Sequence, residues 1–198
     1  MKVLGLVGEK GSGKQTFVNF LKQIASSRTP RNDKSEASVI RQVRFSDILA
    51  QTLILWDIPI TRSNLQKLSL MMSETFGQTA LAKAAKFYFE GDRADIIILD
   101  GIRRAAEVRL VRSFPDNTLI YITADQKLRY QRLKTRSEKV GEVGLTFEQF
   151  LKEEKSKAEK EIPKISKKAD IKLENNGSLE EFKAKIRNLD LMLMQPDS

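Results

Sequence analysis

Apolar and polar positions along this chain fall into blocks whose period switches between that of strands and that of helices. Val3, Leu4, Leu6 and Val7 form a short apolar run suited to a central parallel strand. Phe17, Val18, Phe20, Leu21 and Ile24 then recur at helical spacing to about Ser26. Residues 27–37 are polar, contain a proline and read as an exposed loop. In the next stretch Val39, Arg41, Val43 and Phe45 alternate with Ile40, Gln42 and Arg44, as expected of a second strand nearer an edge. From Ser46 to about Glu90 the pattern is helical, broken near residues 58–61. Ser46 or Asp47 is placed to cap the first piece, and Thr61 or Ser63 the second. The stripe Leu65, Leu68, Met72, Thr75 and Phe76 is expected in the core.

Ile96, Ile97, Ile98 and Leu99 stand in a row, a strand buried on both faces that is expected to end at Asp100-Gly101. A helix over 105–113, a strand over 118–123 and a helix from Gln126 to about Ser137 follow. Two glycines in residues 138–145 interrupt the helical signal. Thr146 then caps a charged helix to about Lys160, with Phe147, Phe150 and Leu151 facing inward. Residues 169–174 form a fifth strand, Asn175-Asn176-Gly177 turns, and Ser178 with Glu181 is a capping box for the last helix. The alternation predicts an α/β chain, one domain over residues 1–198, with a five-stranded parallel sheet and helices on both faces. In such sheets ligands gather beyond the carboxyl ends of the strands.

That edge carries the most specific motif. Residues 3–17 run from strand through a glycine-rich loop into a helix, and Gly8, Glu9, Lys10, Gly11, Ser12, Gly13 and Lys14 complete the phosphate-loop pattern Gly-x-x-x-x-Gly-Lys. Glycines let the chain wrap closely around an anion. Successive backbone N–H groups and the helix N-terminus supply positive ends, and Lys14 can reach the outer phosphates. The usual hydroxyl after the lysine is displaced: Gln15 stands there and Thr16 follows. Three further groups converge on the same edge: Asp47 after the second strand, Asp100 with Arg103 and Arg104 after the third, and the basic helix of residues 129–139.

Composition narrows the chemistry. The chain has 198 residues, 35 Lys+Arg against 26 Asp+Glu and a net charge of +9, which suits a nucleotide, a phosphorylated metabolite or nucleic acid. Nucleic acid stands second to a nucleotide, because the Lys/Glu-rich helix after Thr146 reads as a solvated face. With no cysteine and no histidine, disulfides, Cys/His zinc sites and His or Cys catalysis are excluded. The start enters a strand within two residues and contains a glutamate and glycines, unlike a signal peptide, and no apolar run approaches membrane-spanning length. A soluble cytoplasmic protein is the expectation.

Gly13-Lys14-Gln15-Thr16 resembles the Gly-Lys-Gly-Thr of adenylate kinases, and Leu99-Asp100-Gly101-Ile102-Arg103-Arg104 resembles their Asp-Gly-Phe-Pro-Arg segment. Over the whole chain the sequence is similar to the nucleoside monophosphate kinase family. Residues 129–136, Ala169-Asp170 and Asn176-Gly177-Ser178-Leu179-Glu180-Glu181 resemble its adenylate-kinase-like and dephospho-CoA-kinase-like branch. The resemblance implies that Gly8 to Thr16 hold ATP phosphates and Mg²⁺, with Thr16 on the metal and Asp100 on its water shell. It further implies that Arg104 or Arg103 grips an acceptor phosphate, and that Arg132 and Arg136 stand at the base of a lid spanning about 137–145. Asn176 and Gly177 would lie beside the ATP base, and residues 46–92 would be the acceptor-binding insert. The lid segment is short, and the insert carries no evident base-reading signature.

These readings lead to an ATP- and Mg²⁺-dependent kinase of a small acceptor, a nucleoside or deoxynucleoside monophosphate. A dephospho-CoA kinase is the alternative. It needs a base for its hydroxyl acceptor, and Asp47 is the candidate, though the same residue could simply cap its helix. A nucleotide-binding regulator or nucleic-acid-associated ATPase is the alternative from another class.

Overall fold

A computed structural model of the chain describes residues 1–27, 39–135, 146–155 and 159–193. The elements in order are β1 (Lys2–Val7), α1 (Lys14–Ser27), β2 (Ile40–Arg44), α2 (Phe45–Leu55), α3 (Arg62–Thr75), α4 (Ala80–Phe89) and β3 (Ile96–Ile102). They continue with α5 (Ala105–Arg112), β4 (Asn117–Thr123), α6 (Gln126–Thr135), α7 (Phe147–Glu154), α8 (Ile162–Ser166), β5 (Ile171–Glu174) and α9 (Leu179–Leu193). The sheet has five strands in the order β2-β3-β1-β4-β5. Every neighbouring pair is parallel. β1 lies in the middle and β2 at an edge, as its alternating pattern predicts.

Side chains leave a strand to opposite faces in turn, so the central strands feed two apolar layers. Val3, Val7, Ile97, Leu99 and Leu119 join one layer with α2, α4, α5 and α8. Leu4, Leu6, Ile96, Ile98, Ile120 and Ile122 join the other, under Phe17, Val18 and Leu21 of α1 and Phe182, Ile186 and Leu189 of α9. Burial on both faces is why β1 and β3 read as unbroken apolar runs rather than alternating ones.

Several boundaries differ from the sequence reading. Asp100 and Gly101 lie inside β3, which continues to Ile102. Leu6 pairs with Asp100 and Val7 with Ile102, so Gly101, at φ 87°, is the extra residue of a bulge. Helix α2 starts at Phe45 with Arg44 in the cap position, so neither Ser46 nor Asp47 caps it. The 46–90 stretch is three helices among the described residues. Asp57 takes φ 52° just beyond α2, and Thr61 Oγ1 accepts from the Asn64 N–H at 3.1 Å to start α3. Leu68 is buried, but Phe76 is 66 % exposed, which ends the apolar stripe early. The charged helix after Thr146 stops at Glu154 and a separate α8 follows, with Pro163 in its first turn, where a missing N–H is harmless. Phe147 is exposed, although its ring packs on Tyr130 and Phe150. The capping box forms as expected: the Ser178 N–H donates to Glu181 Oε2 at 2.7 Å and the Glu181 N–H to Ser178 Oγ at 3.2 Å.

Candidate functional site

β1 ends at the ligand edge of the sheet, and residues 8–13 loop from it into α1, which begins at Lys14. Neighbouring chain closes tightly around that loop. A Cβ on Gly8 would lie 2.2 Å from the Ile122 carbonyl oxygen, and one on Gly11 would lie 2.7 Å from that of Arg129. At Gly13, φ is 105° and a Cβ would lie 2.3 Å from Asn175 Nδ2. The glycines are therefore demanded by the tertiary fit as well as by the turn.

Polar contacts brace the same loop. Asn175 is buried and donates from Nδ2 to the Ser12 carbonyl at 2.9 Å. Arg132 Nη2 donates to the Asn175 carbonyl at 2.9 Å, which ties α6 to the loop, while its Nη1 is buried without a partner. Arg129 is buried: Nε donates to the Ala124 carbonyl at 2.8 Å and Nη1 pairs with Glu154 of α7. Lys10 Nζ meets Glu153 Oε2 at 2.7 Å, a second tie from α7 to the loop. Tyr121 OH donates to Glu9 Oε1 at 2.6 Å; burial and that carboxylate push the phenol up to about 12.

Lys14 folds back over the loop, donating to the carbonyls of Gly8 at 2.6 Å and Glu9 at 2.9 Å. Burial lowers its ammonium below the ordinary lysine value, while Asp100, Glu159 and Glu9 pull it back up and Arg103 adds to the lowering.

Asp100 is a buried carboxylate at this edge, only 8 % exposed. Gln42 Nε2 donates to its Oδ2 at 2.8 Å and Arg44 Nε lies 3.6 Å from the same oxygen. Oδ1 is buried with no partner. A buried acceptor without a donor fits a metal-bound water beside the phosphates. Among the described residues no three carboxylates converge on one point. An ion here would therefore keep most of its shell from phosphate oxygens and water, the habit of Mg²⁺. Thr16 lies in the first turn of α1.

Beyond the bulge, Glu107 turns the chain into α5: its Oε2 accepts from the N–H groups of Arg103 at 2.6 Å and Arg104 at 3.0 Å. Burial raises the pKa of this carboxyl above the ordinary value, against those two hydrogen bonds. Arg103 Nη2 pairs with the buried Glu159 at 3.1 Å, and Arg104 Nη2 donates to Ser69 Oγ of α3 at 2.8 Å. The two arginines thus diverge, one toward the segment before α8 and one toward α3.

Of the residues singled out in the sequence, the structure gathers Gly8 to Thr16, Asp100 and Arg132 around one loop mouth, with Arg103 and Arg104 just beyond the strand that carries Asp100. Asp47 is exposed in the first turn of α2. Asn176 faces Asp125, accepting from its N–H at 2.8 Å, and Gly177 leaves room for the Glu181 carboxylate of the capping box. Arg136 and the lid segment 137–145 lie outside the described residues. Sequence reading passed over Asn175, Gln42, Arg44 and Glu159. Asn175 had a faint signal, a side-chain amide directly after the last strand at the ligand edge.

No family model matches this chain. The UPF0200 protein of Methanoregula boonei is 30 % identical over 192 residues, covering 96 % of each chain. The chain belongs to the UPF0200 family. Another member, from Thermococcus gammatolerans, is 26 % identical and covers 93 % of this chain and 91 % of its own. Among solved structures, shikimate kinase from Bacteroides thetaiotaomicron superposes with a TM-score of 0.60 at 9 % identity over 98 % of this chain and 99 % of that one. The Acinetobacter baumannii shikimate kinase, in complex with shikimate, gives 0.54 at 15 % identity over 99 % and 96 %. TT1252 from Thermus thermophilus gives 0.59 at 17 % over 98 % of each. This UPF0200 chain therefore has the three-layer α/β fold of the P-loop kinases.

Proposed function

We propose that this chain is an ATP- and Mg²⁺-dependent phosphotransferase whose acceptor is a small phosphorylated molecule, a nucleoside or deoxynucleoside monophosphate. The observation that carries the reading is the composition of β3 and its exit. β3 delivers Asp100, with an open buried oxygen, to the braced phosphate loop, and the chain leaving it carries Arg103 toward Glu159 and Arg104 to the side where α3 lies.

Gly8 to Thr16 would bind the ATP phosphates through backbone N–H groups, and Lys14, released from its carbonyls, would lie against the outer phosphates. Thr16 and, through water, Asp100 would hold Mg²⁺, which when bound neutralises charge on the phosphate oxygens. Arg104 or Arg103 would hold the acceptor's phosphate, and an acceptor phosphate is already ionised near neutral pH, so no base is needed to attack the γ-phosphorus in line. Arg132 and Arg136 would meet the transferring group from the base of a lid at 137–145. Residues 46–92, which hold nearly all of helices α2–α4, would be the acceptor-binding insert of one domain. Asn176 and Gly177 would border the base of ATP. The chain's contribution is positioning and fixed charge.

A hydroxyl acceptor, as in dephospho-CoA kinase, is the second reading, favoured by the exposed carboxylate of Asp47 in the first turn of the helix that follows β2. A coupled assay of ADP release against a panel of monophosphates and dephospho-CoA separates the two. Asp47→Asn should abolish turnover of a hydroxyl acceptor and barely change that of a monophosphate. If no acceptor turns over while RNA or DNA stimulates ATP hydrolysis, the kinase reading is wrong and the nucleic-acid-associated ATPase takes its place.

A further inference from the structure

We infer that Gln42 is a positioning residue for Asp100, and that Gln15, standing where a hydroxyl is usual, serves the same carboxylate by holding Gln42. The inference rests on the proposed metal-shell role of Asp100.

A carboxylate's terminal torsion is broad, so a lone Asp100 could turn either oxygen toward the loop. Here the choice is made by its neighbours. Arg44 pairs with Asp100 and Gln42 with Ile98 across the β2/β3 register, which sets Gln42 diagonally across from Asp100 on the same sheet face. That face is the one packed under α1, because Ile98 belongs to the α1/α9 layer. From Gln42, Nε2 donates to Asp100 Oδ2 at 2.8 Å and to Gln15 Oε1 at 3.3 Å. Both hydrogens of the Gln42 amide are thereby committed, which fixes its orientation. Gln15 Oε1 also accepts from Arg44 Nη2, and Gln15 Nε2 donates to Asn19 Oδ1 at 2.7 Å, so Gln15 is itself held by α1. With Oδ2 engaged, Oδ1 is the oxygen left buried and without a donor. A serine or threonine at position 15 is too short to span from α1 to β2. Arg44 Nε, 3.6 Å from the same Oδ2, already offsets part of the carboxylate's charge, and the neutral amide at 42 directs the carboxylate without adding a second cation.

The test is the affinity for a non-hydrolysable ATP analogue, measured by calorimetry in Mg²⁺ and in EDTA. In the wild-type protein Mg²⁺ should tighten binding. Gln42→Met, which keeps the shape and removes the donors, should leave affinity in EDTA within about twofold of wild type. The Mg²⁺-dependent gain should fall by about tenfold, the size of one hydrogen bond to a charged group. Gln15→Met should lose less, and the double variant should lose no more than Gln42→Met alone. A Gln42→Met protein that keeps the whole Mg²⁺ gain overturns the inference while leaving Asp100 in place. If Asp100→Asn also keeps it, or wild type shows none, the metal role fails and the inference with it. Should Gln42→Met not fold, Gln15→Met carries the test, and an undiminished gain there overturns the coupling.

Discussion

The two sides of the candidate site are built differently. On the loop side, backbone oxygens 2.2 and 2.7 Å from would-be Cβ atoms at Gly8 and Gly11, and the Asn175 amide 2.3 Å from one at Gly13, leave no slack, and Asn175, Arg132, Arg129 and Lys10 fasten the loop to its surroundings. On the α2–α4 side, large apolar side chains stand in solvent: Leu55 is 83 % exposed, Phe87 81 % and Phe76 66 %. Buried polar contacts lock a shape, whereas exposed apolar groups hold little in place. The contrast suits a phosphotransferase. Electrostatic stabilisation works best from donors that need not reorganise, which describes the loop, while an acceptor side has to accommodate a second molecule.

The sharpest way to break this division is at the loop. Lys14→Ala should lower turnover by about 10²–10³-fold, as loss of one preorganised charge does, and steady-state kinetics would show it. Activity retained within a few fold would mean that the loop does not bind the reacting phosphates. Next comes the displaced hydroxyl: Thr16→Ala should reduce Mg²⁺-dependent turnover by roughly tenfold or more and Gln15→Gly by only a few fold. The reverse order, read from Mg²⁺ titrations, would undo the placement of the metal.

Arg104→Ala sharpens the comparison from the other side. Acceptor KM should rise by about tenfold with ATP-analogue affinity unchanged. Equal losses for both ligands would show that the two sides are not separate. A smaller effect is expected from Glu107. Its raised pKa means that, between the ordinary value and the raised one, the native state keeps a proton that the unfolded chain has released. Stability should therefore fall as pH rises through that window, and Glu107→Gln should flatten the slope seen in urea unfolding at about pH 5 and pH 7. The smallest effect belongs to the soft side: Phe87→Ser should change unfolding free energy by less than about 0.5 kcal/mol.

Local motifs were legible in the sequence because their meaning is carried by contiguous residues. The phosphate loop declares itself in residues 8–16, the buried strands in unbroken apolar runs, and the Thr61, Thr146 and Ser178 caps in their spacing. Boundaries set by pairing were not. The bulge at Gly101 exists because β1 and β3 slip by one residue there, and nothing in 96–102 alone announces it. Asn175, just past β5, reaches the loop through the Ser12 carbonyl, a contact between residues 163 positions apart that no local pattern announces.

By itself the sequence determined the α/β alternation, the anion-binding loop and the exclusion of histidine and cysteine chemistry, since each rests on residue type or short-range spacing. Only the tertiary structure decided what surrounds that loop. Gln42, Arg44 and Asp100 meet through parallel register, and Gln15 joins them from a helix laid across the same face. Hydrogen bonds between residues 27 to 58 positions apart are set by how strands order themselves in a sheet, and that order is a property of the packed whole.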